Sequence, residues 1–450
     1  MGPSNPGDLQ GRHLVEDWPF VFARMTRHPV VVIAALLGVA VPALGLVPPP
    51  PDTSGLPRVS AAPAPKPVPK TKKKKPPPRF VFTFEGRGFG HGVGMSQYGA
   101  YGAARAGQSA QDIIARYYRG TTLTVLPVTP VRVLLGTGAT TVTLSATGPW
   151  GVVAENTPLQ VIRALPPGVD LKIARSGDAV VVSDPAGAEL LKAQGPVRFA
   201  PTDATTTTSL GGVRYRGAVR IVPDAATFTV VNHVDLEQYL PGVVVREMPA
   251  QWGDTAPAAL QAQAIAARSY AMATKRSVGE FDMYDDERSQ VYGGASSEDP
   301  RATAAVVATA GQVVTVDGKI VTTFFFSTSG GRTENVENVF SSGPRSYLVS
   351  VDDEAFDAAS PHHIWRDPKT FTDAELARLL GIKRPVRRIQ VLARGVSPRV
   401  KLIRFTSRSG AVKEMRGTEV RRLLGLRDTW FTPRRRVRTP ATLRLVTPLR

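Results

Sequence analysis

The sequence contains no cysteine, few aromatic residues and comparatively few acidic ones. Without cysteine there is neither a disulfide framework nor a thiolate metal site. Aromatic residues make up 7% of the 450 positions, yet hydrophobic residues reach 42%, so the chain can bury a core. Lysine and arginine outnumber aspartate and glutamate by 56 to 37, and the formal net charge of +19 favours anionic partners. No nucleic-acid-binding motif accompanies this charge, so we expect no nucleic-acid partner.

A single long apolar run, Val30–Val47, lies near the N-terminus. It is just long enough to cross a bilayer as a helix, and Arg24 and Arg27 before it would keep residues 1–29 in the cytoplasm. Met25 followed by a short basic stretch and the same apolar run also fits a cleavable signal peptide. The two interpretations stay open, and both predict export: a membrane contact through 30–47 if uncleaved, or secretion to the cell wall.

Two basic segments flank the region that we expect to fold. Residues 48–79 form a linker rich in proline and lysine, with 12 prolines and six lysines between 48 and 78. Proline favours an extended chain of about 3.1 Å per residue, so the linker could carry a domain away from a membrane. Residues 433–450 form an arginine-rich tail. A weaker interpretation makes the protein a polybasic membrane or nucleic-acid binder through residues 66–75 and this tail.

The patterns between residues 80 and 432 predict an α+β fold. Phenylalanine alternates from Phe80 to Phe84, which is typical of a strand, and glycine occupies every second position from 86 to 94. Short alternating runs between 121 and 235 predict an antiparallel β-rich scaffold. Ser109 and Asp112 form a capping box, which predicts the start of a helix. Asp317-Gly318 predicts a hairpin turn.

The segment from Glu247 to Trp252 carries the best candidate for chemistry. Met248, Pro249 and Trp252 are apolar neighbours that could raise the pKa of the Glu247 carboxyl towards neutrality, as a general acid requires. The following Ala-rich stretch 259–271 predicts a central helix after the glutamate loop, with Asp254 or Thr255 as its N-cap. Composition alone favours a solvated loop carboxylate for Glu247 over a catalytic one.

We assign no metal site and no cofactor from the sequence. The acidic cluster from Asp282 to Glu287 lacks the spacing and glycine of an EF-hand, and it fits a solvated turn better. His362 and His363 are adjacent, so their side chains point apart. The glycines from 86 to 94 do not form a dinucleotide-binding pattern.

Four longer motifs resemble one family. They are Gly90–Ala100 (GHGVGMSQYGA), Val243–Pro249 with Trp252 and Ala262–Tyr270, Ser289–Gly294 (SQVYGG), and Ser327–Glu334 (STSGGRTE). Together they resemble the SpoIID/LytB family of bacterial cell-wall proteins. In that family the GHGVGMSQ motif usually closes the domain after a segment similar to Arg422–Phe431, whereas here it stands first, in residues 80–126. The chain therefore resembles a circular permutant, which predicts that Phe80 and Thr432 are neighbours.

The resemblance implies a lytic transglycosylase that cleaves peptidoglycan glycan strands to 1,6-anhydromuramyl products, with Glu247 as the catalytic acid. The alternative is a non-catalytic, peptidoglycan-binding enhancer of an N-acetylmuramoyl-L-alanine amidase. An amidase and anionic wall polymers are further expected partners. The polar and aromatic groups expected around the sugars are Arg268, Tyr270, Gln290, Tyr292, Ser329, Glu334, His91, Gln97 and Trp252.

Overall fold

The structure, a computed structural model, describes residues 80–127, 129–156 and 162–437. The apolar run Val30–Val47 and the linker that ends at residue 79 lie outside these ranges. In the described part of the chain, every helix is too short or too polar to cross a membrane.

The first described segment is a strand followed by two short helices. The alternation from Phe80 predicted the strand, and the phenylalanines at 82 and 84 are buried. The capping box is confirmed, because Ser109 Oγ accepts the Asp112 backbone N–H and the Asp112 carboxylate accepts the Ser109 N–H. The elements are β1 (Phe80–Gly86), β2 (Met95–Ser96), α1 (Gln97–Arg105), α2 (Ala110–Tyr117) and β3 (Thr122–Val125).

The next hundred residues form antiparallel strands, as their alternation predicted. Side chains from two sheets, among them Leu144, Ile173 and Phe199, pack into one apolar core. The strands are β4 (Val131–Ala139), β5 (Thr141–Ala146), β6 (Trp150–Ala154), β7 (Ile162–Leu165), β8 (Leu171–Ser176), β9 (Ala179–Ser183), β10 (Glu189–Gln194), β11 (Val197–Pro201), β12 (Thr208–Leu210), β13 (Val213–Tyr215), β14 (Ala218–Asp224) and β15 (Thr227–Val234). One sheet has the order β10-β9-β8-β5-β12-β13.

A helical layer follows and contains two departures from the sequence prediction. Glu247 ends a helix rather than lying in a loop, and the Ala-rich helix has Ala256 as its N-cap, with Pro257 as its first residue. The elements are α3 (Leu236–Glu247), α4 (Pro257–Thr274), β16 (Met283–Tyr284) and α5 (Pro300–Ala308), with short 3₁₀ turns at Ala250–Asp254 and Ala295–Ser297. β16 completes the second sheet, of order β16-β4-β15-β14-β11-β6-β7. Helices α3 and α4 supply much of the largest apolar core.

The remaining elements begin with the predicted hairpin, in which Asp317 has the left-handed φ of 50° that this turn requires. They are β17 (Gln312–Val316), β18 (Lys319–Ile320), β19 (Phe325–Phe326), α6 (Glu354–Asp357), β20 (Lys369–Thr372), α7 (Asp373–Leu379), β21 (Val386–Arg394), β22 (Val400–Ser407), β23 (Val412–Arg416), α8 (Gly417–Leu424) and β24 (Phe431–Val437), with a 3₁₀ turn at Val336–Asn338. β24 continues beyond Thr432, so part of the expected tail belongs to the folded region.

The two ends of the described chain lie side by side. β1 pairs antiparallel with β24, placing Phe80 opposite Val437 and Glu85 opposite Thr432. β20 covers the other edge of β1. The Gly90 N–H donates to the Arg427 carbonyl at 3.0 Å, which extends this contact into the GHGVGMSQ motif. The strands that contain Phe80 and Thr432 are therefore paired, although the two residues lie five positions apart in the register. Paired end strands are the arrangement that a circular permutation predicts.

Candidate active site

Glu247 is the last residue of α3, and the local sequence explains why the helix stops there. Asp235 caps the N-terminus by accepting the Glu237 N–H at 2.8 Å. At the other end, Met248 adopts an extended conformation before Pro249, because proline disfavours a helical residue in front of it. The negative end of the helix dipole then faces the Glu247 carboxyl and disfavours its ionised form.

The surroundings of Glu247 favour the protonated carboxylic acid. The side chain is half-buried, and desolvation raises the pKa of Glu247 to about 7. Hydrogen bonds from the Val291 backbone and the Gln97 side chain oppose that rise, whereas the nearby Glu287 carboxylate adds to it. A carboxyl with a pKa near 7 exists in both protonation states at neutral pH, so it can donate a proton and later accept one.

Three of the four sequence motifs meet at this carboxyl. Gln97 belongs to the GHGVGMSQ motif, Val291 to the SQVYGG motif and Glu247 to the segment with Met248 and Pro249. Tyr270, from the Ala-rich helix, is also near: burial and then the Glu247 charge raise the pKa of Tyr270 to about 12. The structure therefore places Gln97 and Tyr270 beside Glu247.

The glycines before Gln97 let the GHGVGMSQ motif pass very close to other backbone. Gly94 has a φ of 75°, and a Cβ at this position would lie 2.0 Å from the Phe324 carbonyl oxygen. At Gly94, therefore, glycine is required by the close approach of protein backbone. After this crossing, β2 pairs with β19, and Ser96 caps the helix that begins with Gln97.

The fourth motif is held against the first by a buried carboxylate. Asp357 Oδ1 accepts Ser96 Oγ–H and the Ser329 N–H, both at 3.1 Å, and Oδ2 accepts the Gly330 N–H at 2.8 Å. His363 Nδ1 lies 3.0 Å from the same Oδ2. Ser329 is thus connected to Glu247 only indirectly. Asp357 bonds both Ser329 and Ser96, and Ser96 precedes Gln97, which reaches Glu247.

Trp252 packs against α1 rather than standing alone. Its ring stacks on Tyr101 with centroids 4.4 Å apart and an interplanar angle of 23°, and Tyr98 meets it edge-on at 4.9 Å. Because Tyr101 covers one ring face, this aromatic group ties the 3₁₀ turn after Glu247 to the helix that carries Gln97. These contacts are with protein side chains, whereas the family resemblance implied a position for Trp252 beside the sugars.

The structure does not place Arg268 beside Glu247. Its guanidinium is fully buried and forms two 2.7 Å hydrogen bonds with the Glu237 carboxylate, plus weaker bonds to the Gln312 and Val306 carbonyls. Arg268 therefore joins α4 to the first turn of α3, to the last turn of α5 and to the first residue of β17.

Gln290 and Tyr292 are buried on either side of Val291 and make internal bonds. The Gln290 amide donates to the Ala267 carbonyl at 3.3 Å, and the Tyr292 hydroxyl donates to Asn232 Oδ1 at 3.1 Å. The Tyr292 ring packs on Tyr239 with centroids 4.7 Å apart. Both side chains support the loop segment whose backbone reaches Glu247.

Glu334 and His91 also have internal partners away from Glu247. The fully buried Glu334 carboxylate accepts the Val396 and Ser397 N–H groups at 3.0 and 3.1 Å, which anchors the turn before β22. His91 Nδ1 accepts the Val93 N–H, so Nε2 carries the proton and donates to the Phe325 carbonyl at 3.0 Å. Burial lowers the pKa of His91 to about 3, so the ring is neutral.

The sequence prediction missed two buried polar groups near this site. Gln263 is fully buried on the α4 face that also carries Tyr270, and its amide atoms have no hydrogen-bond partner among the described residues. Asp353 is buried beside Asp357, and desolvation raises the pKa of Asp353 to about 7. In the sequence, the features that could have indicated these groups are a glutamine inside an alanine-rich run and two aspartates four positions apart.

Comparison with known proteins places this geometry in context. Residues 224–316, which contain Glu247, Tyr270 and Val291, match the family model described as "Stage II sporulation protein". Stage II sporulation protein D of Bacillus subtilis is 36% identical over 170 residues, covering 34% of this chain and 48% of that protein. The amidase enhancer of Bacillus subtilis is 30% identical over 210 residues, covering 42% of this chain and 28% of that protein.

An uncharacterised protein of Brachyspira hyodysenteriae is 35% identical over 135 residues, 29% of this chain and 36% of that protein. The chain thus spans about half or less of the length of these three curated relatives. No solved structure matches the chain.

Proposed function

We propose, from the premise that this chain carries a SpoIID domain, that it is an exported cell-wall protein that cleaves peptidoglycan glycan strands. The single observation that carries the proposal is the raised pKa of Glu247, about 7, at the meeting point of three motifs. A group protonated at neutral pH can donate to the oxygen of a glycosidic bond as that bond breaks.

The proposed reaction needs only one carboxyl. Most glycosidases use two carboxylates, one of which activates water or attacks the sugar. In a lytic transglycosylase the C6 hydroxyl of the muramic sugar is the nucleophile. Glu247 would donate its proton to the leaving oxygen, then accept the proton of the attacking hydroxyl. The C1–O bond to the next sugar breaks, a C1–O6 bond forms, and Glu247 returns to its acid form.

Gln97 and the Val291 N–H would orient the carboxyl through this cycle. Both interactions favour the ionised form, so they would stabilise the carboxylate that exists between the two proton transfers. Burial acts in the opposite direction and restores the acid. Tyr270 is protonated at neutral pH, as a tyrosine ordinarily is, and burial raises its pKa further to about 12, so its hydroxyl could donate to a sugar oxygen.

The second candidate is a non-catalytic enhancer of a wall amidase. The observation in its favour is the 30% identity to a protein named amidase enhancer. A further point is that Arg268, Glu334 and His91 already have protein partners and do not surround Glu247. An enhancer would bind peptidoglycan and act only together with the amidase.

Mass spectrometry of glycan products separates the two candidates. Purified peptidoglycan, with and without its stem peptides, would be incubated with the wild-type chain and with Glu247→Gln. Anhydromuramyl products from the wild type and not from the variant support the transglycosylase. If neither protein yields such products, yet both accelerate an added amidase, the enhancer is correct and catalysis by Glu247 is excluded.

A further inference from the structure

Positive charge is concentrated at the C-terminal end of the described chain. Residues 366–437 contain 20 lysines and arginines but only six aspartates and glutamates. The formal net charge of the whole chain is +19. This stretch includes β21, β22, β23 and β24. The excess of positive charge therefore lies in folded strands as well as in the basic segments outside the described residues.

Part of this charge gathers where two edge strands meet. Arg435 Nη1, on β24, donates to the Arg387 carbonyl of β21 at 3.1 Å. The Arg408 N–H donates to the Pro385 carbonyl at 2.9 Å, which holds the turn before β21 beside the β22–β23 turn. We call the exposed cations along this junction the arginine seam: Lys383, Arg384, Arg387, Arg388, Arg435 and Arg436.

The arginine seam has no ion-pair partner within the part of the chain that the structure describes. No member of the seam forms an ion pair there, whereas three nearby arginines do: Arg434 with Glu85, Arg404 with Glu414 and Arg408 with Asp373. Clustered like charges repel one another and raise the local positive potential, which attracts a polyanion. Unlike their paired neighbours, the seam cations are therefore not neutralised by ion pairs among the described residues.

We propose that the arginine seam binds a phosphodiester-linked anionic polymer of the cell wall. Guanidinium groups match phosphate oxygens through paired N–H donors, and repeated phosphates along a polymer can engage several arginines at once. Single-stranded nucleic acid would also need exposed aromatic rings for stacking. The Phe80 ring at the seam is already covered by the Arg435 and Arg408 guanidiniums, whose centres lie 4.9 and 5.9 Å from its centroid.

The inference rests on the proposed wall location but not on catalysis by Glu247. A seam of this kind would hold the protein near its glycan substrate while leaving the Glu247 region open. Glu247→Gln should therefore bind the polymer as the wild type does. Conversely, loss of the seam should leave cleavage of free glycan strands unchanged, so failure of either proposal can be recognised separately.

The test measures binding of the full chain to purified poly(glycerol phosphate) across a range of salt concentrations. The double variant Arg387→Glu/Arg388→Glu should bind about tenfold or more weakly at physiological salt. Its slope of log affinity against log salt should be shallower by about 1.4, because two fewer phosphates release counterions. Lys172→Glu/Lys192→Glu is the matched control, since these exposed lysines lie on strands of another sheet and change the net charge equally.

Three outcomes would overturn the proposal. The seam variant could bind as tightly as the wild type, which would assign binding to the basic segments outside the fold. The control could lose as much affinity as the seam variant, which would mean that only net charge matters. Double-stranded DNA at matched phosphate concentration could bind more tightly than poly(glycerol phosphate), which would favour nucleic acid.

Discussion

Ser96 and Asp357 form a buried hydrogen bond of 3.1 Å between two segments far apart in sequence. Ser96 caps α1, whose first residue is Gln97, and Asp357 also accepts the Ser329 and Gly330 N–H groups. The carboxylate of Asp357 therefore holds two motifs together and sets the position from which Gln97 reaches Glu247. In this arrangement Asp357 is a positioning residue.

Asp357→Asn should destabilise the protein and weaken any Glu247-dependent activity. Both Asp357 oxygens accept hydrogen bonds, so an amide N–H₂ would face the Ser329 N–H if it replaced Oδ1 and the Gly330 N–H if it replaced Oδ2. Leaving buried donors unpaired costs about 1–3 kcal/mol. Chemical denaturation measures this loss. Asp352→Asn is the control, because that carboxylate is exposed and pairs at the surface with Arg332, so its loss should be much smaller.

Gln97→Leu should move the alkaline limb of the pH–activity profile upward. The Gln97 side chain lowers the pKa of Glu247, and leucine cannot replace that interaction. The carboxyl would then stay protonated to a higher pH, while its carboxylate form would be less well stabilised. The pH dependence of product release tests this, with the exposed Gln111→Leu of α2 as the control. An unchanged alkaline limb would remove Gln97 from the site.

The wild-type protein should lose activity as pH rises through about 7. Glu247 must be protonated to act as an acid, and burial raises its pKa to about 7. Glu247→Gln keeps the shape and cannot transfer a proton, so product release should fall by about 10²–10⁴-fold below pH 7, and the difference should narrow as the wild type loses its proton at higher pH. Release of anhydromuramyl products from pH 5 to pH 9 tests both statements. Equal activity of the two proteins would show that Glu247 is not the acid.

Local patterns in the sequence predicted several elements because the partners were close in sequence. The Ser109 capping box, the Asp317-Gly318 hairpin and the alternating Phe80 strand are all confirmed. In contrast, helix α3 was not predicted. Its interior contains Pro241, and proline in a helix interior normally breaks the helix. Burial of Leu240 and Val243 in the main core offsets that penalty, which places Glu247 at a helix end.

The roles of isolated polar residues could not be predicted in the same way. Arg268 is a basic residue in a small, apolar helix, a pattern that fits a ligand contact and a buried ion pair equally well. Its partner, Glu237, lies on another helix, and nothing local in the sequence links the two. His91 and Glu334 posed the same problem, since their partners come from distant loops.

Stability should fall with rising pH in part because of Asp353. Burial raises the pKa of Asp353 from 3.8 to about 7, so folding favours its protonated form. Its contribution is fully present below about pH 4 and is lost as pH rises through 7. Asp353→Asn cannot ionise, so its free energy of unfolding should decline less than that of the wild type between pH 5 and pH 8. Denaturant titrations at both pH values provide the comparison, and parallel declines would contradict the assignment.

Arg268→Met should unfold the protein more readily without acting through substrate binding. The substitution keeps an apolar stem of similar length but leaves the Glu237 carboxylate and two carbonyls without their buried donor. Breaking a buried pair by removing one partner costs about 3–5 kcal/mol. Arg288→Met removes an exposed pair with Asp286 and should cost at most about 1 kcal/mol. Urea denaturation measures the difference, and the affinity of the folded Arg268 variant for glycan strands should match that of the wild type. A variant of unchanged stability that no longer bound glycan would instead place Arg268 at the sugar, as the sequence had suggested.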